Sequence, residues 1–576
     1  MLARLPHLLL LLAWLGTGAL ALSARTGAGE SYAESVRLTP FADGKVLSRF
    51  NFTLSGPWEP EGVALGSNTV SYHHTLLPRL TTALIRQFRV STFHLTLSSG
   101  RWMPTWPLPP LPADLPASGI ELTAWLELLE GETEEEERQR WENFTGAVAG
   151  LFCAGIGSES VRAMTDSPTW GFDFEGEVDE REHRLYRTVM PRLAAACTES
   201  LTPFLSLLPC SSHAGLSSLL NPHRLFDAEW TLLSVKFVHE ELSGRAKVEL
   251  EVGSVFDPVR RDRLSGQLGR REFSLSSLYD RTLSTACPIA SSSVVELAIP
   301  THSINPFVIE PALEREMKNV DGVDIAVWDA NKALESSVLD ARVTWPEENP
   351  FRYPHPSKLS LPALAIRRLL SGVGQERGRI GVEIVNNLDE QAEVVWVETW
   401  PWWVRGFVST MEVTVNGNAT ENLLTDLSYS PSVARKRPTT LQALLCLPPR
   451  STTQLTLAYE SATLWYTEYP SDANRGFSVP GALVVLLPPS SPSPSPPKRS
   501  NPLQGRKPLL KLRTLTTLIS LPLPDFSMPY NVIILTSTVV ALFFGSIMNG
   551  LVRRWLVVDL TPEKKEKKGE VEEGKK

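Results

Sequence analysis

The sequence carries few of the residue patterns that do chemistry. No H-E-x-x-H helix, G-x-S-x-G elbow, Walker phosphate loop or C-x-x-C pair occurs in its 576 residues, so the spacings behind zinc proteolysis, serine acyl transfer, nucleotide hydrolysis and dithiol exchange are missing. His239 stands beside Glu240 and Glu241, but no second histidine follows four residues later. The acidic stretch DFEGEVDE around Asp173 lacks the alternating ligands of a calcium loop and reads as solvated. No metal, cofactor or catalytic residue is expected. Cysteine is scarce: Cys153, Cys197, Cys210, Cys287 and Cys446 are too few for a disulfide-dense scaffold. Their odd number leaves a buried thiol or a bond to another chain. A thiol dyad such as Cys197 with His213 stays open, because such partners meet only in the fold. Long basic blocks interleaved with aromatics are also missing, and the formal net charge is −8, which argues against nucleic acid as a partner.

Long apolar runs occur only at the two ends. MLARLPHLLLLLAWLGTGALALSA opens with Arg4 and offers Ala19 and Ala21 as a small-residue cleavage site, the pattern of a secretory signal over residues 1–21. Val532 to Val552 carries no charge and is long enough to cross a bilayer as a helix. Arg553 and Arg554 abut it and favour a cytosolic tail, residues 553–576, although Lys507, Lys511 and Arg513 upstream weaken the bias. The signal settles the expected orientation: a type I protein with a lumenal body. Sequons at Asn51, Asn143 and Asn418 suit glycosylation in that compartment.

Between the ends the chain is long enough for several cores, and its 42% hydrophobic and 21% charged residues are globular in composition. LLPRLTTALIRQF spaces Leu77, Leu80, Leu84, Ile85 and Phe88 as a helix, and STFHLTLSS then alternates as a strand. EEEERQRWENFTGAVAGLFCAG sets Trp141, Phe144, Val148, Leu151 and Phe152 on one face of a helix whose acidic start suits the helix dipole. Later the period shifts to two: Val248, Leu250 and Val252, then Ile380, Val382 and Ile384, with turns such as NNLDE and VNGNA between short strands. The expected fold is an α+β region over 22–298, then a mostly β region, a β-sandwich, over 299–487. A Pro/Ser-rich linker over 488–510, a membrane-proximal segment over 511–531 and one C-terminal transmembrane helix over 532–552 follow. The cluster Trp400, Trp402 and Trp403 reads as sandwich core or edge, with a membrane-surface contact as the alternative. Within the span, Ser546, Asn549 and Gly550 suit close helix packing.

Several separated stretches resemble the PIG-T family of GPI transamidase subunits: VRLTPFADGKVLSRFNFTL, LFCAG, CTESLTPFLSLLPCSSHAGLSSLL, TACPIA, LWYTEYPSDANRGFSVPGALV and PDFSMPYNVI. They run in order from near the mature N terminus to the span. The resemblance implies a noncatalytic scaffold in the endoplasmic reticulum membrane. It also implies partners: a separate caspase-like catalytic subunit, multispanning membrane subunits, and the proprotein and GPI lipid met through the complex. It assigns Cys197, in its CTE.LTP context, to an interchain disulfide with the catalytic subunit. For an intrachain bond the expectation pairs Cys153 with Cys210, one choice among connectivities the sequence leaves open, with Cys287 and Cys446 unassigned. A cell-surface receptor or adhesion ectodomain, or a lumenal thiol hydrolase, would share the topology without the partner.

Overall fold

The computed structural model describes residues 29–554 apart from 59–62, 65–69, 72–73, 108–112, 157–163, 173–181, 192–197, 241–242, 267–268, 301–304, 314, 321, 337, 349, 355–360, 373–375, 421–422, 470–475, 490–505 and 524–526. The expected signal over 1–21, most of the expected cytosolic tail, Asp173 and Cys197 lie outside the described residues. The chain forms two compact units, one ending at Pro522 and one beginning at Leu523.

An eleven-stranded sheet organises the first half of the larger unit. From Ser31–Pro40 it runs outward through Val46–Pro57, Arg245–Phe256, Trp230–Glu240, Val90–Gly100, Gly119–Glu127 and His183–Pro191 to the short Met164–Asp166, all antiparallel. On its other side Ser292–Ala298 adds in parallel, followed by the hairpin Val323–Asp329 and Glu316–Val320 at the edge. Alternation along Val46–Pro57 turns Phe50, Phe52 and Leu54 into the core and leaves Asn51 exposed on the opposite face.

Helices cover the core face. Glu134–Phe152 starts at a capping box in which Thr133 and Glu136 satisfy each other's backbone N–H groups, and four glutamates fill its positive end. It buries Trp141, Phe144, Val148 and Phe152. Trp141 stacks on Tyr186 at 5.4 Å and donates Nε1–H to Thr188 at 3.1 Å. Truncating such a side chain to Ala costs about 3–5 kcal/mol. The helix Arg79–Phe88 ends at Arg89 in the left-handed conformation (φ 53°), which turns the chain straight into Val90–Gly100.

The second half is a β-sandwich. A five-stranded sheet contains Leu364–Ser371, Arg377–Asn386, Ser451–Ser461 and Val404–Val415, and a six-stranded sheet contains Leu424–Ser430, Thr439–Leu447, Ala392–Trp400, Leu483–Leu486 and Leu510–Arg513. Ile380, Val382, Leu455 and Leu457 of one meet Val394, Trp396, Leu441 and Val484 of the other in a single core.

The expected boundary at 298/299 is corrected. Val323–Asp329 pairs with Ser292–Ala298, and Glu316–Val320 with Val323–Asp329, both extending the first sheet, so the sandwich begins at Leu364; it continues past 487, because Leu510–Arg513 pairs with Leu483–Leu486. The reason is edge coverage: Ser292–Ala298 would otherwise expose a row of unpaired backbone groups.

The central strand Ala392–Trp400 explains how the halves join. Its Val394, Trp396 and Trp400 point into the sandwich, while Val395 and Val397 point out and pack with Trp170, Phe172 and Leu185. Leu185 pairs across the ladder with Trp125, on the sheet face opposite the helices. The order is therefore helices, large sheet, sandwich, and a strand buried on both faces is mostly apolar, with Glu398 and Thr399 as its buried polar exceptions.

The second unit holds the helix Ser527–Val552, apolar over Met528–Val552 and long enough to cross a membrane. It starts a turn earlier than expected, since Pro529 is tolerated in a first turn.

Candidate functional site

The segment after Cys197 is firmly rooted in the first half of the chain. Thr198–Ser206 is a nine-residue helix with Pro203 inside it. Leu201 and Phe204 are fully buried, and Phe204 packs on Phe152 of the long helix at 5.1 Å. The chain continues through buried Leu207 and Leu208 to Cys210, which is bonded to Cys287 with a Cα–Cα distance of 6.1 Å.

Beyond the disulfide the backbone passes over Glu34. Gly215 has φ 72°, and a Cβ there would lie 2.6 Å from Glu34 Oε1 and 2.8 Å from Cys287 Cβ, so only glycine fits. Glu34 is buried and accepts from Leu216 N (3.1 Å), Ser293 Oγ (2.7 Å) and Tyr32 Oη (3.1 Å). Burial pushes its carboxyl up from the ordinary value, and these donors pull part of the way back. Helix, disulfide, glycine and buried carboxylate thus pin the residues following Cys197 to the first sheet.

The expected Cys153–Cys210 pair is corrected. Cys210 is bonded to Cys287, while Cys153 is free and exposed. Cys153 caps the long helix in the left-handed conformation (φ 51°), which turns its side chain outward while neighbouring Phe152 points to the core. Cys446 is also free, 3.5 Å from Thr425 Oγ1. His213, once a candidate dyad partner, is exposed.

Asn51, Asn143 and Asn418 are all exposed, on a strand, a helix and a hairpin. Ser546, Asn549 and Gly550 are exposed on the isolated C-terminal helix, whose Ser537 and Thr538 donate back to Ile533 and Ile534 carbonyls of the same helix. Trp400 and Trp403 are sandwich core, and Trp402 sits at its margin against Arg435.

A buried charge network missed by sequence reasoning locks the halves together. Arg187 bonds Glu121 (2.7 Å), Asp166 (3.4 Å) and Thr399 of the sandwich (3.2 Å). Arg513 bonds Asp114 (2.5 Å) and lies 3.0 Å from Glu121. Burial alone would raise the Glu121 carboxyl, but Arg513 and Arg187 together hold it below the ordinary range. Asp166 has less cationic company, and burial leaves it raised. The one signal was a charge inside an apolar strand, in GIELTAWLE and HRLYRTVMP.

Comparison with known proteins covers almost the whole chain. The profile described as "Gpi16 subunit, GPI transamidase component" matches residues 17–268 and 264–575. The chain belongs to the Gpi16 family. Among its relatives, the "GPI-anchor transamidase component PIGT" of Homo sapiens is 32% identical over 96% of this chain and 95% of its own length. The "GPI transamidase component GPI16" of Saccharomyces cerevisiae is 27% identical over 92% and 89%. As a Gpi16-family chain it is a GPI transamidase component, and the apolar helix 528–552 fits a membrane protein.

Proposed function

We propose that this chain is the noncatalytic scaffold of the GPI transamidase, a type I protein of the endoplasmic reticulum membrane whose lumenal body holds the caspase-like catalytic subunit through a disulfide at Cys197. The observation that carries the reading is the rooting of Thr198–Ser206: its far end is tied by Cys210–Cys287 and by the packing of Phe204 on Phe152. A thiol at the border of an immobilised helix can transmit a tether. A bond to a freely moving loop would constrain the partner far less.

A covalent link turns subunit docking into an intramolecular event, so modest noncovalent contacts suffice to keep the catalytic partner assembled. The chain itself then needs no nucleophile. The buried network of Arg187 and Arg513 supports the same role by fixing the first sheet against the sandwich, which gives the partners one surface of constant shape. Ser546, Asn549 and Gly550 would serve packing against multispanning subunits in the bilayer.

Nonreducing electrophoresis of the complex tests this. The parent chain should give a heavier species containing the catalytic subunit, and Cys197→Ser should remove it while the chain remains folded and partly assembled. Transamidation by the purified chain alone, or Cys197 bonded within its own chain, overturns the proposal.

A further inference from the structure

The stretch LWYTEYPSDANRGFSVPGALV places two large aromatics in solvent. Trp465 is 62% and Tyr466 47% exposed. Their exposure is held in place by structure. The Arg435 guanidinium lies 3.7 Å from the Trp465 ring centre and 4.6 Å from that of Trp402. It also forms a forked ion pair with Glu468, at 2.5 and 3.0 Å, and Glu468 in turn accepts from the Trp465 backbone N–H at 2.6 Å. A fixed, exposed tryptophan forgoes most of the burial that normally repays such a side chain, which marks a surface covered by something else.

Chain connectivity says what covers it. Tyr469, in the same turn, donates its hydroxyl to the Pro522 carbonyl at 2.7 Å. Thr517–Ile519 pairs with Phe477–Val479, leaving Leu515 and Leu518 exposed on the same closing segment. Pro522 is the last residue of the larger unit, and the apolar helix begins at Met528. Six residue steps span at most about 20 Å. At 25 residues the apolar stretch is about 38 Å long, which exceeds the roughly 30 Å hydrocarbon core and carries its ends into the interfacial layers. The tether therefore keeps the closing segment near the headgroups, where Trp and Tyr are favoured because one end of each ring system is apolar and the other can hydrogen-bond. Arg435 is already neutralised by Glu468, so the ridge suits the interface itself and needs no anionic lipid.

We propose that the exposed aromatic ridge of Trp465 and Tyr466, together with the exposed Leu515 and Leu518 of the closing segment, rests on the lipid headgroup layer of the bilayer that the C-terminal helix spans. The ridge orients the body on the membrane, a second contact beyond the helix. The inference rests on the reading of 528–552 as a span. The test places a benzophenone-bearing phenylalanine at Tyr466, and at Leu313 as a control that is more accessible still (83% exposed), in the full chain within its complex in native membranes. Irradiation should give several-fold more phospholipid adduct at position 466 than at 313. Adducts at 466 to protein alone, or equal lipid yields at the two sites, overturn the proposal. Carbonate extraction separates the two readings: a chain released by carbonate sinks the span, whereas a retained chain without lipid adduct at 466 sinks only the ridge.

Discussion

Removing both cysteines of the structural disulfide, as Cys210→Ala with Cys287→Ala, tests the rooting of the Thr198–Ser206 helix without adding a stray thiol. The bond closes a loop with a sequence separation of 77. Cross-linking a loop of that size removes about 15 cal/mol/K from the unfolded chain, roughly 4.5 kcal/mol at 25 °C. The unfolding entropy of globular proteins, about 2.1 cal/mol/K per residue, gives about 1 kcal/mol/K if the unit ending at Pro522 unfolds as a whole, and about two-thirds of that if only the half carrying the large sheet does. The expected fall in Tm is therefore about 4–7 °C. Differential scanning of the purified chain reads this shift, and nonreducing electrophoresis of the complex reads the Cys197 linkage. The linkage should drop with the stability, because Thr198–Ser206 loses the tie at its far end. A Tm unchanged within about 1 °C, with the heavier species at the parent's yield, refutes the argument that the crosslink roots the helix.

Four further outcomes are expected. Arg187→Met leaves Glu121 and Asp166 buried beside one another with less cationic cover and should destabilise by about 3–5 kcal/mol, read as earlier melting and faster proteolysis between the halves. Gly215→Ala forces a Cβ against Glu34 and Cys287 and should lower the yield of the Cys210–Cys287 peptide in nonreducing maps. Glu398 is buried with its carboxyl pushed up to about 7, because desolvation outweighs Arg368, whose Nη2 is 3.0 Å away without an aligned hydrogen bond. A carboxyl whose folded pKa is raised gives stability that is full below the unfolded value near 4.3 and lost as pH rises toward about 7. The parent should thus be more stable at pH 5 than at pH 7.5 by about 2 kcal/mol from this group, and Glu398→Gln should flatten that dependence in melting curves. Replacing Ser546, Asn549 and Gly550 together with Leu should leave the chain membrane-inserted but reduce recovery of multispanning subunits in affinity purification.

Much of the local structure was legible because it is written in short-range periodicity. The Glu134–Phe152 helix, with Trp141, Phe144, Val148 and Phe152 inward, and the strands through Val248–Val252 and Ile380–Ile384 follow directly from spacings of 3.6 and 2. The disulfide partner did not, because Cys153 and Cys210 are separated by a cap geometry that sends one thiol to solvent and the other to Cys287. The family resemblance singled out Cys197. The packing of the residues after it, Thr198–Ser206, is a tertiary property that no local motif spells out.

On its own, the sequence was enough to determine the elements, the apolar terminal helix and the family, since periodicity, span length and ordered motifs are local properties carried by contiguous residues. Only the tertiary structure decided that residues 316–329 complete the first sheet, that Cys210 meets Cys287, and that Arg187 and Arg513 bind the halves. Each of these joins groups tens to hundreds of residues apart. Such pairings are chosen by which edges need covering and which buried charges need partners, and neither is known until the chain has closed on itself.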